Sequence, residues 1–130
     1  MAVTYEPGAE LPELRVTPDP FVTVRYAGAS GDFNPIHIDE EFARMVGLPG
    51  RILHGLWSMA QVARAHTEAA GGPQALKRLS VQFRGMGVPE QEVVVTGTVR
   101  EAQDGTVLLD TVAEQAGKQI IRNAEAELRV

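Results

Sequence analysis

A carboxylate and an imidazole lie five residues apart in the segment Tyr26–His37, which reads Tyr-Ala-Gly-Ala-Ser-Gly-Asp-Phe-Asn-Pro-Ile-His. Pro35 lacks an amide donor and pushes Asn34 out of the α region, so the segment cannot form one continuous helix. A broken segment can aim Asp32 and His37 at one small volume, where the two groups could share a water molecule. General acid–base catalysis is the chemistry that such a pair could do.

The same residues also have a purely structural interpretation. Asp next to Gly is common in turns, Asn-Pro initiates turns, and a single histidine is more often structural than catalytic. On the residues alone, the catalytic pair is therefore a hypothesis, and an ordinary turn is the alternative.

The segment is part of a longer motif. Tyr-Ala-x-x-Ser-Gly-Asp-x-Asn-Pro-Ile-His, followed by Ile-Leu-His-Gly at residues 52–55, resembles the signature of the MaoC-like (R)-specific enoyl-CoA hydratases (hydratase 2) and (3R)-hydroxyacyl thioester dehydratases. The resemblance implies a hot-dog fold and the reversible addition of water to a trans-2-enoyl thioester, which gives the (R)-3-hydroxyacyl thioester. It places the catalytic pair of the family on Asp32 and His37.

The resemblance also indicates further site residues. Gly55, at the start of a predicted long helix, would offer its amide to the thioester oxygen, where negative charge builds up; alternatively, Gly55 only lets the chain enter the helix. His54 would be a positioning residue. Asn34, His54 and Ser30 form the predicted substrate-binding group. Within it, Asn34 and Ser30 would act chiefly through hydrogen bonds inside their loop, and Asn34 would hold His37.

Composition narrows the class of protein. A length of 130 residues predicts one domain, taken as residues 1–130. The absence of cysteine excludes disulfides and thiolate catalysis, and no apolar run approaches the roughly 18 residues that a membrane span requires. With a net charge of −5 and scattered basic residues, we expect neither a nucleic-acid nor a membrane partner. The first six residues lack the parts of a signal peptide, so we expect a cytoplasmic location.

No cofactor and no metal are expected. No group of His, Asp and Glu has the spacing of metal ligands, and the sequence contains no Gly-rich phosphate loop.

Proline and glycine divide the first half of the chain into short elements. A short strand is predicted around residues 11–16. Residues 20–29 begin at Asp19-Pro20, which is typical of an N-cap followed by a proline at the first helical position. The β-branched residues in this range favour a strand, whereas the resemblance favours a helix. We adopt the helix. Asp39 would cap a second short helix. A long helix is predicted over residues 55–70, with an apolar face formed by Leu56, Met59, Ala60, Ala63 and Thr67.

Alternating apolar and polar residues predict four antiparallel strands after Pro73. Asp104-Gly105 is a strong hairpin signal, and Ala116-Gly117 indicates another turn. Leu79, Val81 and Phe83 would share one face of the first of these strands. One Ala-rich helix and strands that are apolar on one face only predict an α+β fold. In this hot-dog fold, a five-stranded antiparallel sheet wraps the long helix.

The expected partners are an acyl-CoA or acyl-carrier-protein thioester and a second copy of the chain, with a related hot-dog subunit in a heterodimer as the alternative. Dimerisation would cover the open sheet edges. Two other functions stay open: a non-catalytic acyl-binding subunit of a heterodimeric dehydratase, and a hot-dog thioesterase, for which Glu68 at the far end of the helix is badly placed. The basic residues that could meet the phosphates of a carrier are Arg51, Lys77, Arg78 and Arg84.

Overall fold

One long helix packs against a five-stranded antiparallel sheet, which is the arrangement predicted for a hot-dog fold. The computed structural model describes residues 3–130; Met1 and Ala2 of the predicted 1–130 domain lie outside the described residues. Within residues 3–130, every helix is too short or too polar to cross a membrane. The elements in chain order are β1 (Leu14–Val16), α1 (Val22–Ser30), α2 (Pro35–Ile38), α3 (Glu40–Met45), α4 (Gly55–Ala69), a 3₁₀ turn (Pro73–Ala75), β2 (Leu76–Phe83), β3 (Val93–Gln103), β4 (Thr106–Gln115) and β5 (Lys118–Arg129).

The sheet has the strand order β1-β3-β4-β5-β2, and all neighbouring pairs are antiparallel. Asp104 and Gly105 connect β3 to β4 with φ angles of 53° and 82°. Ala116 and Gly117 connect β4 to β5 with φ angles of 52° and 75°. Positive φ at both central residues is typical of type I′ hairpins, whose twist matches that of the strands. Both predicted turns are therefore confirmed.

The core lies between α4 and the inner face of the sheet. Alternate residues of β3 and β4 are buried, as the period of two requires. The buried apolar residues of these two strands are Val93, Val95, Val99, Val107, Leu109 and Ala113. This layer holds α4, which carries Gly55 at its first residue.

The first helix begins later than predicted. Asp19 does not cap it directly; its Oδ1 accepts a hydrogen bond from the Phe21 amide at 2.7 Å, and the helix starts at Val22. The helix is nevertheless favoured over a strand here, since it buries Val22 and Thr23. The prediction of a helix is confirmed, and its predicted start was wrong by two residues.

The long helix turns a different face to the sheet from the one predicted. Leu56, on the predicted face, is 60% exposed. Polar side chains on the buried face find partners inside the protein: Gln61 donates to the Trp57 carbonyl, and His66 bonds to Thr111. Apolarity therefore did not mark the buried stripe, which consists of Ser58, Gln61, Val62, Ala65 and His66.

His66 predicts a measurable dependence of stability on pH. The ring is fully buried on α4, and burial lowers the pKa of His66 from 6.5 to about 4. Below pH 6.5, His66 therefore binds a proton in the unfolded chain, whereas in the folded protein it binds this proton only below about pH 4. The free energy of unfolding should be unaffected above pH 6.5 and should fall by an amount on the order of 3 kcal/mol between pH 6.5 and 4.

Urea unfolding of the wild type and of His66→Gln at several pH values would measure this effect. Glutamine can still bond to Thr111 but does not titrate. We expect the variant to lose the part of the pH dependence that lies between pH 6.5 and 4. Equal pH dependence in the two proteins would contradict the assignment to His66.

Candidate active site

The end of α1 and the turn that follows it fix the position of Asp32. The Ser30 hydroxyl donates to the Tyr26 carbonyl at 2.8 Å and accepts from the Asp32 amide at 3.1 Å. Gly31 ends the helix with φ 80°, a left-handed conformation that glycine adopts without strain. Asp32 Oδ1 accepts from the Asn34 amide at 3.2 Å. One carboxylate oxygen thus holds the turn, and Oδ2 is left for other partners.

Asn34 then starts the short helix α2, which carries His37. Its Oδ1 accepts from the Ile36 amide at 3.3 Å, and Pro35 occupies the first helical position. The His37 amide donates to the Asn34 carbonyl at 3.0 Å. Asn34 is exposed and hydrogen-bonds within its loop, as we expected from the sequence.

The imidazole of His37 is held in one tautomer. The ring is 7% exposed, and its Nδ1 lies 2.8 Å from the Ile52 carbonyl oxygen. Because a carbonyl only accepts, Nδ1 carries the hydrogen, and Nε2 of the neutral ring is the basic nitrogen. Nε2 lies 3.8 Å from Asp32 Oδ2. The two groups meet within the 3–5 Å expected from the segment, at a separation that one bridging water can span.

His54 contacts both members of the pair. It is 2% exposed at the N-cap of α4, and its Nε2 donates to the Asp32 carbonyl oxygen at 3.0 Å. Its ring stacks on the His37 ring with the centroids 3.8 Å apart and the planes 19° apart. The Tyr26 ring also packs against the His54 ring, with the centroids 4.7 Å apart and the planes tilted by 48°. The geometry is that of a positioning residue, which is the role expected from the resemblance.

Ligand-type atoms of Asp32, His37 and His54 lie within 4.8 Å of one another, so the three could be considered as metal ligands. The lone pairs of a histidine lie in its ring plane. A tetrahedral zinc site requires ligand lone pairs that point at one ion. The two ring planes are nearly parallel, so the lone pairs of His37 and His54 run side by side and do not converge on one point. The arrangement suits a shared water better than a metal ion.

A cavity of about 280 Å³ opens beside Asp32, whereas His37 lies behind its wall and does not line it. Gly55 is the first residue of α4, so its amide has no partner within the helix and lies at the positive end of the helix dipole. A Cβ added at Gly55 would lie 3.1 Å from Cε1 of Phe83, so glycine allows the ring to pack close to this amide. The cavity is lined by Tyr26, Ser30, Asp32, His54, Gly55, Leu56 and Phe83.

Only some of the predicted site residues lie at this cavity. The cavity is lined by Ser30, Asp32, His54 and Gly55, but not by Asn34 or His37. Phe83 was predicted to share one face of its strand with Leu79 and Val81. At the end of edge strand β2 it is 54% exposed and lines the cavity. No signal in a single sequence distinguishes this phenylalanine from a core residue.

The basic residues predicted to meet a carrier, and Glu68, the carboxylate considered for a thioesterase, do not line this cavity. Arg51 and Arg84 line a separate groove of about 860 Å³, where Arg51 is paired with Glu40 at 3.1 Å. Glu68 is paired with Arg64 at 2.6 Å on an exposed face. Lys77 and Arg78 are exposed on β2. Of the residues that line the small cavity, none is Arg or Lys.

Known proteins resemble this chain in sequence. The MaoC-like domain family matches residues 5–123. The chain is 35% identical over 116 residues to the fatty acid synthase subunit beta of Aspergillus oryzae, and 36% identical over 99 residues to the peroxisomal hydratase-dehydrogenase-epimerase of Neurospora crassa. These matches cover 85% and 76% of the chain but only 6% and 10% of the relatives. The likeness thus concerns one segment of each much longer protein.

Solved structures resemble it in fold. A MaoC-like dehydratase superposes with a TM-score of 0.91 at 30% identity, over 95% of this chain and 40% of the other. The R-hydratase PhaJ1 of Pseudomonas aeruginosa has a TM-score of 0.87 at 26% identity, over 96% of this chain and 81% of the other. The ChsH1–ChsH2 complex of Mycobacterium tuberculosis also gives 0.87 at 26% identity, over 98% and 99%. With its motif, its hot-dog architecture and these matches, the chain belongs to the MaoC-like domain family.

Proposed function

We propose that the protein catalyses the reversible hydration of trans-2-enoyl thioesters to (R)-3-hydroxyacyl thioesters. The observation that carries the proposal is the pairing of His37 Nε2 with Asp32 Oδ2, 3.8 Å apart, with Asp32 lining a cavity. The names of the related R-hydratase and of the hydratase-containing Neurospora enzyme support the same type of reaction.

The proposed reaction begins with one water held by both groups. Its oxygen forms a bond to C3 of the substrate while one of its protons passes to the pair. The electrons of the C2–C3 double bond move toward the thioester oxygen, and C2 then takes one proton from the pair. His37 Nε2 is suited to accept the first proton, because Nδ1 already donates to the Ile52 carbonyl. The sum is the addition of one water, and dehydration is the same path in reverse.

The negative charge on the thioester oxygen needs a donor. The amide of Gly55 is the candidate, since it lines the cavity and stands at the start of the 15-residue helix α4. His54 would keep the pair in register through its bond to the Asp32 carbonyl and its stack on His37.

The test of the function is hydration of crotonyl-CoA by the purified protein, followed as loss of the enoyl thioester absorbance. Chiral analysis of the product should give the (R)-3-hydroxy isomer. No loss of absorbance with crotonyl-CoA, with longer enoyl-CoA substrates or with enoyl carrier-protein substrates would contradict the proposal.

The second candidate is a non-catalytic acyl-binding subunit of a heterodimeric dehydratase. Such a subunit would be inactive alone and would need a catalytic partner. The presence of both Asp32 and His37 in facing positions favours the enzyme over this alternative. A thioesterase is disfavoured by the ion pair that holds Glu68 on an exposed face.

We propose further that the protein works as a dimer. Strands β1 and β2 are the open edges of the sheet. Apolar side chains are also exposed in the single chain: Leu56 by 60% and Phe83 by 54% at the cavity, and Met86 by 54% at the separate groove. Sedimentation velocity should give a species of twice the 14.0 kDa chain mass. A stable, active monomer would refute the dimer, and activity that requires a second, different chain would favour the heterodimer.

A further inference from the structure

A buried glutamine that does not line the cavity is connected to His37 and His54 through backbone hydrogen bonds. Gln115, the last residue of β4, is 5% exposed. Its side-chain Oε1 accepts from the Val88 amide at 2.8 Å, and its Nε2 donates to the Val88 carbonyl at 2.7 Å and to the Gln91 carbonyl at 3.0 Å. All three bonds reach the segment between β2 and β3, residues 84–92, which we name the clamp loop.

The clamp loop in turn holds the strand-like segment that precedes α4. The Gly87 carbonyl accepts from the Leu53 amide at 2.8 Å. Packing at this point is close, since a Cβ added at Gly87 would lie 2.9 Å from Leu53 Cδ1. A displaced clamp loop would therefore displace Leu53 as well.

Leu53 lies between the two residues on which the site geometry depends. The carbonyl of Ile52 accepts the Nδ1 hydrogen of His37 and fixes its tautomer. On the other side, His54 stacks on His37 and bonds to the Asp32 carbonyl. We infer that Gln115 is a positioning residue, which acts through the clamp loop and Leu53 to keep the Ile52 carbonyl and His54 in place around His37.

A glutamine suits this role because its side-chain amide both donates and accepts. Other backbone bonds also hold the clamp loop. The Arg84 and Gly85 amides both donate to the Ile120 carbonyl, at 2.9 Å and 3.3 Å, and the Glu90 amide donates to the Pro18 carbonyl at 2.6 Å. They anchor the loop at Arg84, Gly85 and Glu90, whereas Gln115 holds Val88, next to Gly87, and also Gln91. Loss of the glutamine should therefore loosen the middle of the loop and leave its ends attached.

The test compares Gln115→Met with Thr111→Val. Methionine has a similar length and makes none of the three hydrogen bonds. Thr111 lies on the same face of the same strand and is also buried, but its hydroxyl bonds to His66. The chain has only three histidines, so each ring N–H can be followed by NMR in protein labelled with ¹⁵N-histidine.

We expect Gln115→Met to shift or lose the His37 Nδ1–H resonance, and Thr111→Val to alter only the His66 signal. This inference rests on the proposed function for its kinetic part. In kinetic assays, kcat of Gln115→Met should fall about 10-fold to 100-fold, since a displacement of catalytic groups on the order of 1 Å has this effect. KM should change by about twofold or less, because Gln115 does not line the cavity beside Asp32. Thr111→Val should keep the wild-type kcat at temperatures where it is folded.

Folding of each variant is checked by circular dichroism, and Gln115→Asn, which keeps the amide on a shorter side chain, replaces Gln115→Met if the latter does not fold. A wild-type His37 resonance in the folded variant would overturn the inference, even if kcat fell. So would equal losses of kcat in Gln115→Met and Thr111→Val. A wild-type protein inactive on all enoyl thioesters would refute the proposed function, while the resonance comparison would still test the role of Gln115.

Discussion

Replacement of either Asp32 or His37 should lower kcat for enoyl thioester hydration about 10²-fold to 10⁴-fold, which is the usual contribution of a general acid–base group. Asp32→Asn is a conservative change, because its side-chain oxygen can still accept from the Asn34 amide, which bonds to Oδ1 at 3.2 Å in the wild type. It removes the charge and the proton-accepting oxygen that faces His37. His37→Ala removes the imidazole itself.

The two losses should not add. Both groups act on the same water in the proposed mechanism, so the double variant should be only slightly slower than the slower single variant. KM should change much less than kcat, since neither residue is expected to bind the carrier arm. Crotonyl-CoA kinetics of the three variants would measure this pattern.

Asp39→Asn is the matched control for the charge. Asp39 is an exposed carboxylate on the same segment, and its Oδ1 caps α3 through the Phe42 amide at 3.0 Å. Asparagine caps helices about as well, so this variant should keep its activity. Near wild-type hydration by both Asp32→Asn and His37→Ala would end the catalytic assignment and favour the acyl-binding subunit.

The sequence predicts the meeting of Asp32 and His37 because its determinants are local. Gly31 ends α1 in a left-handed conformation, Asn34 caps α2, and Pro35 fixes the first residue of that helix. Each of these effects depends on residues one to three positions apart. The hairpin turns are predictable for the same reason.

Features that depend on distant parts of the chain could not be predicted in this way. The acceptor for His37 is the carbonyl of Ile52, a backbone atom 15 residues away that no side-chain pattern identifies. The buried face of α4 contains His66, whose partner Thr111 is 45 residues away, so a polar residue takes a position that periodicity assigns to solvent. Phe83 has the spacing of a core residue, but its strand lies at the sheet edge and ends beside the cavity.

Removal of the backbone amide at Gly55 should lower kcat about 10²-fold to 10³-fold, which is the usual effect of losing one oxyanion donor. Gly55→Pro deletes this amide with little disturbance of the fold. Proline is favoured at the first position of a helix, where no intrahelical bond is lost. His54, the preceding residue, already has φ −65° and ψ 135°, the extended conformation that a residue before proline adopts.

Gly55→Ala separates the loss of the amide from the added bulk. Alanine keeps the N–H, but its Cβ, like that of proline, would lie near the Phe83 ring, which is exposed and can shift. With both variants shown to be folded by circular dichroism, kcat for crotonyl-CoA should fall strongly in Gly55→Pro and only a few-fold in Gly55→Ala. If alanine cost as much as proline, crowding against Phe83 would explain both losses. The oxyanion donor would then have to be sought at the Leu56 amide, because the Trp57 amide already donates to the His54 carbonyl at 3.1 Å.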